Sequence, residues 1–112
     1  MSALPAAGRD EQVGTLVDLV RIPSVVGTAA EVGIVRHVAD LLDGFEVDLW
    51  PIPVADLVAR PDFPGMEVTR REAWGLIARL PGVGGGRSLM LNGHLDVVPP
   101  GDPGAWSDDP YS

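Results

Sequence analysis

Apolar positions in the first part of the chain recur at helical spacing. Val13, Leu16, Val17 and Val20 fall at i, i+3, i+4 and i+7, one stripe on one face, so the pattern predicts a helix over Asp10–Arg21. Pro23 ends it, because proline disfavours the helical conformation in the residue before it. A second helix is expected over Ala29–Asp43. Thr28 and Glu31 make a T-x-x-E capping box at its start, and Val32, Val35, Ala39 and Leu42 form its buried face. Gly44 stands where a left-handed residue closes a helix. The period then changes to two: Phe45, Val47 and Leu49 alternate with Glu46, Asp48 and Trp50, the signature of a half-buried strand near an edge. Pro51 and Pro53 end that strand.

Residues 55–72, with Pro61 and Pro64, suggest a surface loop holding at most a short helical turn. Ala73–Leu80 is a second strand candidate, Pro81–Gly86 a turn, and Ser88–Gly93 a third strand. Leu89, Met90 and Leu91 do not alternate, so this third strand is expected to be buried on both faces. Residues 99–112 are expected to be loop. Helices followed by strands give an α/β class. Three strands with helices from one end only would leave an edge and a face uncovered, so the pattern describes part of a domain.

Composition narrows the function. The chain has 112 residues, enough for one small domain. Its 14 glycines and 11 prolines make it rich in turns. The formal net charge is −8 and the eight basic residues, all Arg, are scattered, so no basic patch exists to bind nucleic acid. Cysteine is absent, which excludes disulfides and thiolate metal sites. Met1–Val13 carries Arg9, Asp10 and Glu11 with no apolar core, unlike a signal peptide, and no apolar run reaches the length of a membrane span. A soluble cytoplasmic protein is the expectation.

The chemistry concentrates in Leu89-Met90-Leu91-Asn92-Gly93-His94-Leu95-Asp96-Val97-Val98-Pro99. His94 and Asp96 follow the expected third strand. At i and i+2 of an extended chain their side chains share a side. Ligands in open α/β sheets gather beyond the carboxyl ends of strands. An imidazole there can bind a metal through one nitrogen while a carboxylate orients the ring. Gly93 would let backbone pass close by. His-x-Asp alone is short and common, and by itself it fits a strand-end histidine hydrogen-bonded to its neighbour better than a metal site.

Other candidates have bland counterparts. Gly82–Arg87 lacks the Lys-Ser/Thr of a phosphate loop and suits a hairpin turn. His37 lies off the expected apolar stripe and suits a solvated histidine. Asp102, Asp108 and Asp109 suit a solvated loop, and Trp106 suits packing of that loop against the domain, with Tyr111 a further aromatic there. Neither H-x-H-x-D-H nor H-E-x-x-H is present.

The flanking residues add a resemblance. Leu91-Asn92-Gly93-His94-Leu95-Asp96-Val97-Val98-Pro99, followed by Trp106-Ser107-Asp108-Asp109-Pro110-Tyr111, resembles the G-H-x-D-V-V-P and W-x-x-D-P-[FY] signature of the M20 metallopeptidase/deacylase family. Leu19–Val25 and Ile77–Gly82 are similar to the family's first helix exit and to the turn before its histidine strand.

This resemblance implies an α/β/α zinc-peptidase-like catalytic domain with a mixed sheet. Residues 1–112 would be its incomplete N-terminal portion, without the inserted domain that usually forms the dimer. It implies two metal ions, usually zinc with cobalt or manganese as substitutes, and hydrolysis of N-acyl amino acids or small peptides. The acetylornithine deacetylase and succinyl-diaminopimelate desuccinylase branch is the nearest. By motif position His94 would be a metal ligand and Asp96 the active-site carboxylate that orients it. The remaining ligands and the general-base Glu of family members lie downstream of these motifs. The resemblance therefore implies a fragment or truncated product, inactive alone, and a homodimeric full-length protein. A non-catalytic interaction module is the alternative.

Overall fold

A computed structural model describes residues 6–112. The first helix, α1, runs Ala6–Val20, starting four residues before the expected Asp10, where alanines favour helix. The Arg21 amide still donates to Val17 O at 3.0 Å, and Pro23 then stops the helix. The predicted stripe forms, but among the described residues it stays uncovered: Val13, Leu16, Val17 and Val20 are all exposed.

The second helix, α2, runs Ala29–Leu41. Thr28 is its N-cap residue, but the expected capping box is rearranged. The Thr28 hydroxyl turns back and donates to Val25 O at 2.7 Å. Glu31 accepts from the Gly27 amide at 2.6 Å and pairs with Arg70 at 2.8 Å. Glu31 thus caps the helix entry and ties it to the loop before the second strand. Gly44 has φ +79°, the left-handed conformation expected of it. The buried residue of α2 is Ile34; Val32, Val35, Ala39 and Leu42, the expected face, are half-buried.

Strand β1, Glu46–Pro51, pairs antiparallel with β2, Trp74–Arg79, in the register Glu46↔Arg79 to Pro51↔Trp74. Partners across an antiparallel ladder share a face. Leu49 and Leu76 therefore lie on one side, while Trp50 and Gly75 lie on the other. The Trp50 ring lies over Gly75 so closely that a Cβ there would sit 2.2 Å from Trp50 Cζ2. Between the strands α3 spans Val54–Val58, the short turn expected in that loop. Arg36 on α2 stacks over the Trp74 ring at 4.6 Å, and the Trp74 indole N–H donates to Glu72 at 2.7 Å, fastening β2 to α2.

The expected third strand is not formed. Residues 88–93 are irregular, and Leu89, Met90 and Leu91 are 83, 89 and 85% exposed rather than buried. A non-alternating apolar run becomes a central strand only where neighbours pair both its edges and cover both faces. Among the described residues no strand pairs with it. The glycine turn before it is real, with Gly84 and Gly85 at positive φ. The described residues thus form an incomplete α/β arrangement: three helices, one 3-10 turn at Pro103–Ala105 and a two-stranded antiparallel sheet. Its radius of gyration is 17.5 Å. A closed domain of this length would have about 13 Å. No helix among the described residues is long and apolar enough to cross a membrane.

Candidate functional site

The His94 segment is held by the turn between α1 and α2. Val25 and Val97 form an isolated parallel bridge. In it the Val97 amide donates to Ser24 O and the Val26 amide donates to Val97 O, both at 3.0 Å. The Ser24 hydroxyl donates to Leu95 O at 2.8 Å, across 71 residues of sequence. Ser24 is 1% exposed, and Ile34 of α2 is the buried apolar residue. A loop-to-loop clasp, rather than a sheet, therefore positions the motif.

Within that clasp His94 and Asp96 come together as their spacing predicts. His94 Nδ1 lies 3.0 Å from the Asp96 backbone oxygen and 3.3 Å from its carboxylate. A carbonyl oxygen can only accept, so Nδ1 must carry the proton and donate. In the neutral ring the lone pair then belongs to Nε2, on a side chain that is 83% exposed. An imidazole fixed at one nitrogen by a carboxylate or a carbonyl is the arrangement found behind metal-bound histidines. Gly93 does not serve a close approach, since a Cβ there would meet nothing within 4 Å.

Two open grooves border this segment. One, of about 650 Å³, is floored by the apolar side of α1, with Ile34, Trp106 and Tyr111. The other, of about 640 Å³, lies against α2 and β2 and includes Glu31 and Arg70.

The remaining candidates are used locally. Asp102 Oδ1 accepts from the Gly104 amide and Asp109 Oδ1 from the Tyr111 amide, each at 2.9 Å, so both carboxylates shape their own loop. Asp108 is exposed. The Trp106 indole N–H donates to Pro100 O at 2.9 Å, pinning its ring to that loop at the edge of the first groove. His37 is not the solvated residue its position off the stripe suggests: it is half-buried, and its Nε2 is shielded with no partner among the described residues. It follows Ile34 by three residues and so shares the inward side of α2. Among the described residues no three His, Asp or Glu side chains gather as a metal site requires.

The motif pattern does not mark Ser24, the buried residue that holds this segment. Its signal lay in the Leu19–Val25 block, which otherwise marks only a helix exit.

The chain is similar to curated relatives. The chain is 40% identical over 95 residues to a succinyl-diaminopimelate desuccinylase of Methylobacterium nodulans, covering 83% of this chain and 20% of the relative. It is 34% identical over 101 residues to one of Cereibacter sphaeroides, covering 90% and 22%. To one of Paracoccus denitrificans it is 42% identical over 59 residues, covering 53% and 15%. The chain thus spans about a fifth of the length of these relatives. No family model and no solved structure matches it.

Proposed function

The chain belongs to the M20 metallopeptidase/deacylase family, and on that premise we propose that it forms part of a metal-dependent hydrolase of amide bonds. N-acyl amino acids or small peptides are the substrate class, with N-succinyl amino acids foremost because the relatives are named desuccinylases. His94 would hold a zinc ion through Nε2, and Asp96 would fix the ring from the other side. When bound, such a metal acts as a Lewis acid on the amide carbonyl and lowers the pKa of water toward neutrality. The observation that carries this reading is the His94 Nδ1 contact with Asp96, which leaves the lone pair on an exposed ring.

The donor set fits one ligating position of such a metal, not a whole site. A catalytic zinc takes about three protein ligands, and the described residues assemble no group of three. The chain alone is therefore inactive in this proposal, and further residues complete the two-zinc site. Residues 1–112 belong in the same reading to an α/β/α catalytic domain with a mixed sheet. The bared run Leu89–Leu91 and the bared α1 stripe are apolar surface of the kind that such layers cover. The full-length protein would be cytoplasmic and homodimeric and would bind no nucleic acid.

In a full-length enzyme carrying this segment, His94→Ala should lower both metal content and hydrolysis of an N-succinyl amino acid. Unchanged values for both would remove His94 from the site. The lack of a three-ligand group also favours a second reading, a non-catalytic module. Zinc-dependent hydrolysis by the purified 112-residue chain, abolished by chelation, would contradict both the module and the inactivity of the isolated chain.

A further inference from the structure

Asp96 is flanked by two peptide planes, and Ser24 holds both. On the Leu95–Asp96 plane, the Ser24 hydroxyl donates to Leu95 O at 2.8 Å. On the Asp96–Val97 plane, the Val97 amide donates to Ser24 O at 3.0 Å. These planes set the backbone dihedrals of Asp96, the only soft torsions of its main chain. They therefore decide where its carbonyl oxygen points and where its side chain departs. Two Asp96 oxygens, the backbone carbonyl and one of the carboxylate, reach the same atom, His94 Nδ1, at 3.0 and 3.3 Å.

We propose that Ser24 is the positioning residue of the His94–Asp96 pair, clamping the peptide planes on either side of Asp96 so that its oxygens fix the His94 ring. Ser24 touches neither ring nor carboxylate and acts through the backbone of residues 95–97. Its burial at 1% exposed keeps water from competing for either bond. Alanine would remove the hydroxyl bond and leave the Leu95 carbonyl without that donor, while keeping the backbone bond from Val97. The Asp96 backbone would then be held on one side only. The catalytic meaning of this clamp rests on His94 being a metal ligand; its geometry does not.

The test uses isotope-labelled 112-residue chain at a pH where imidazoles are neutral. Ser24→Ala should lower hydrogen-exchange protection of the Val97 and Val26 amides about tenfold, the weight of one lost buried hydrogen bond. Amides of the β1–β2 ladder should keep their protection. The His94 ring nitrogens, one protonated Nδ1 signal and one unprotonated Nε2 signal in the wild type, should move toward an average of the two tautomers. Ser24→Cys, close in shape with a weaker donor, should fold and shift the His94 signals partway.

Equal loss of protection in the sheet, unfolding included, would make Ser24 merely structural and overturn the proposal. So would unmoved His94 nitrogens in Ser24→Cys. Zinc raised above the weak affinity of a single ligand, to about 10 mM, separates the premise: if it leaves the His94 nitrogens unchanged, the ligand reading fails while the Ser24 result stands.

Discussion

Adding zinc to the 112-residue chain should leave its stability unchanged, although the His94 ring is accessible. The perturbation is 10 µM zinc, and its effect follows from how many ligands the fold has already gathered. A ligand that binds only the native state stabilises it by RT ln(1 + [L]/Kd). A Kd a hundredfold above the zinc concentration gives about 0.006 kcal/mol, below any melting experiment. A complete site with a Kd a hundredfold below that concentration would give about 2.7 kcal/mol. For a domain of this size that is a rise of more than about 10 °C in Tm.

The first case is expected. The clasp presents one exposed imidazole, and no group of three ligands forms among the described residues. The unfolded chain carries the same two histidines and sixteen carboxylates, so weak binding to it removes still more of the gain. Thermal melts with and without zinc, paired with calorimetric titration, read the outcome. A rise of about 10 °C at 10 µM zinc, lost in His94→Ala, would refute the one-ligand argument.

Three further predictions concern the scaffold. Glu31→Ala removes the acceptor of the Gly27 amide and the partner of Arg70, and should destabilise the chain by about 1–3 kcal/mol in urea titration; the Glu31→Ala/Arg70→Ala double variant should lose less than the sum of the two single variants. Gly75→Ala should displace the Trp50 ring, shifting its indole N–H resonance and costing about 1–3 kcal/mol, and an unmoved resonance would contradict the stacking. The Arg60 guanidinium holds the Asp62 carboxyl below its ordinary range, helped by a backbone hydrogen bond. Any stabilisation from this exposed pair is present above the ordinary aspartate range and fades as pH falls through the lowered value. Arg60→Ala should return the Asp62 titration, followed by side-chain carbon shifts, toward the ordinary range.

What was legible in the sequence was mostly local. The 3.6-residue period found α1 and α2, and the two-residue period with flanking prolines found β1, because backbone geometry ties side-chain direction to sequence spacing. Gly44 was legible for the same reason: a left-handed residue at a helix exit favours glycine. What failed depended on neighbours. Leu89–Leu91 carries the composition of a buried strand, but composition cannot supply the adjoining strands that would pair it. Ile34 is as apolar as the expected stripe of α2, and helical spacing alone does not decide which of these positions tertiary packing seals. Glu31 had the right type and place for a capping box, yet it accepts from the Gly27 amide, because the Thr28 amide that a capping box would give it already donates to Val25 O.

The candidate site shows the same division. That His94 and Asp96 would meet followed from i, i+2 spacing, and they do meet although the strand meant to carry them is absent. Their pairing therefore does not need a sheet. It needs residues 94–97 extended and anchored, and the Ser24–Val26 turn supplies the anchor through three hydrogen bonds. Each such bond contributes about 1 kcal/mol net, so the clasp can hold its geometry while the apolar surfaces beside it stay open. In the proposed reading of His94 as a metal ligand, two requirements separate. The orientation of that ligand would be encoded between a helix exit and a distant loop, within these residues. The number of ligands, and with it affinity and turnover, would depend on what covers the two grooves that flank His94.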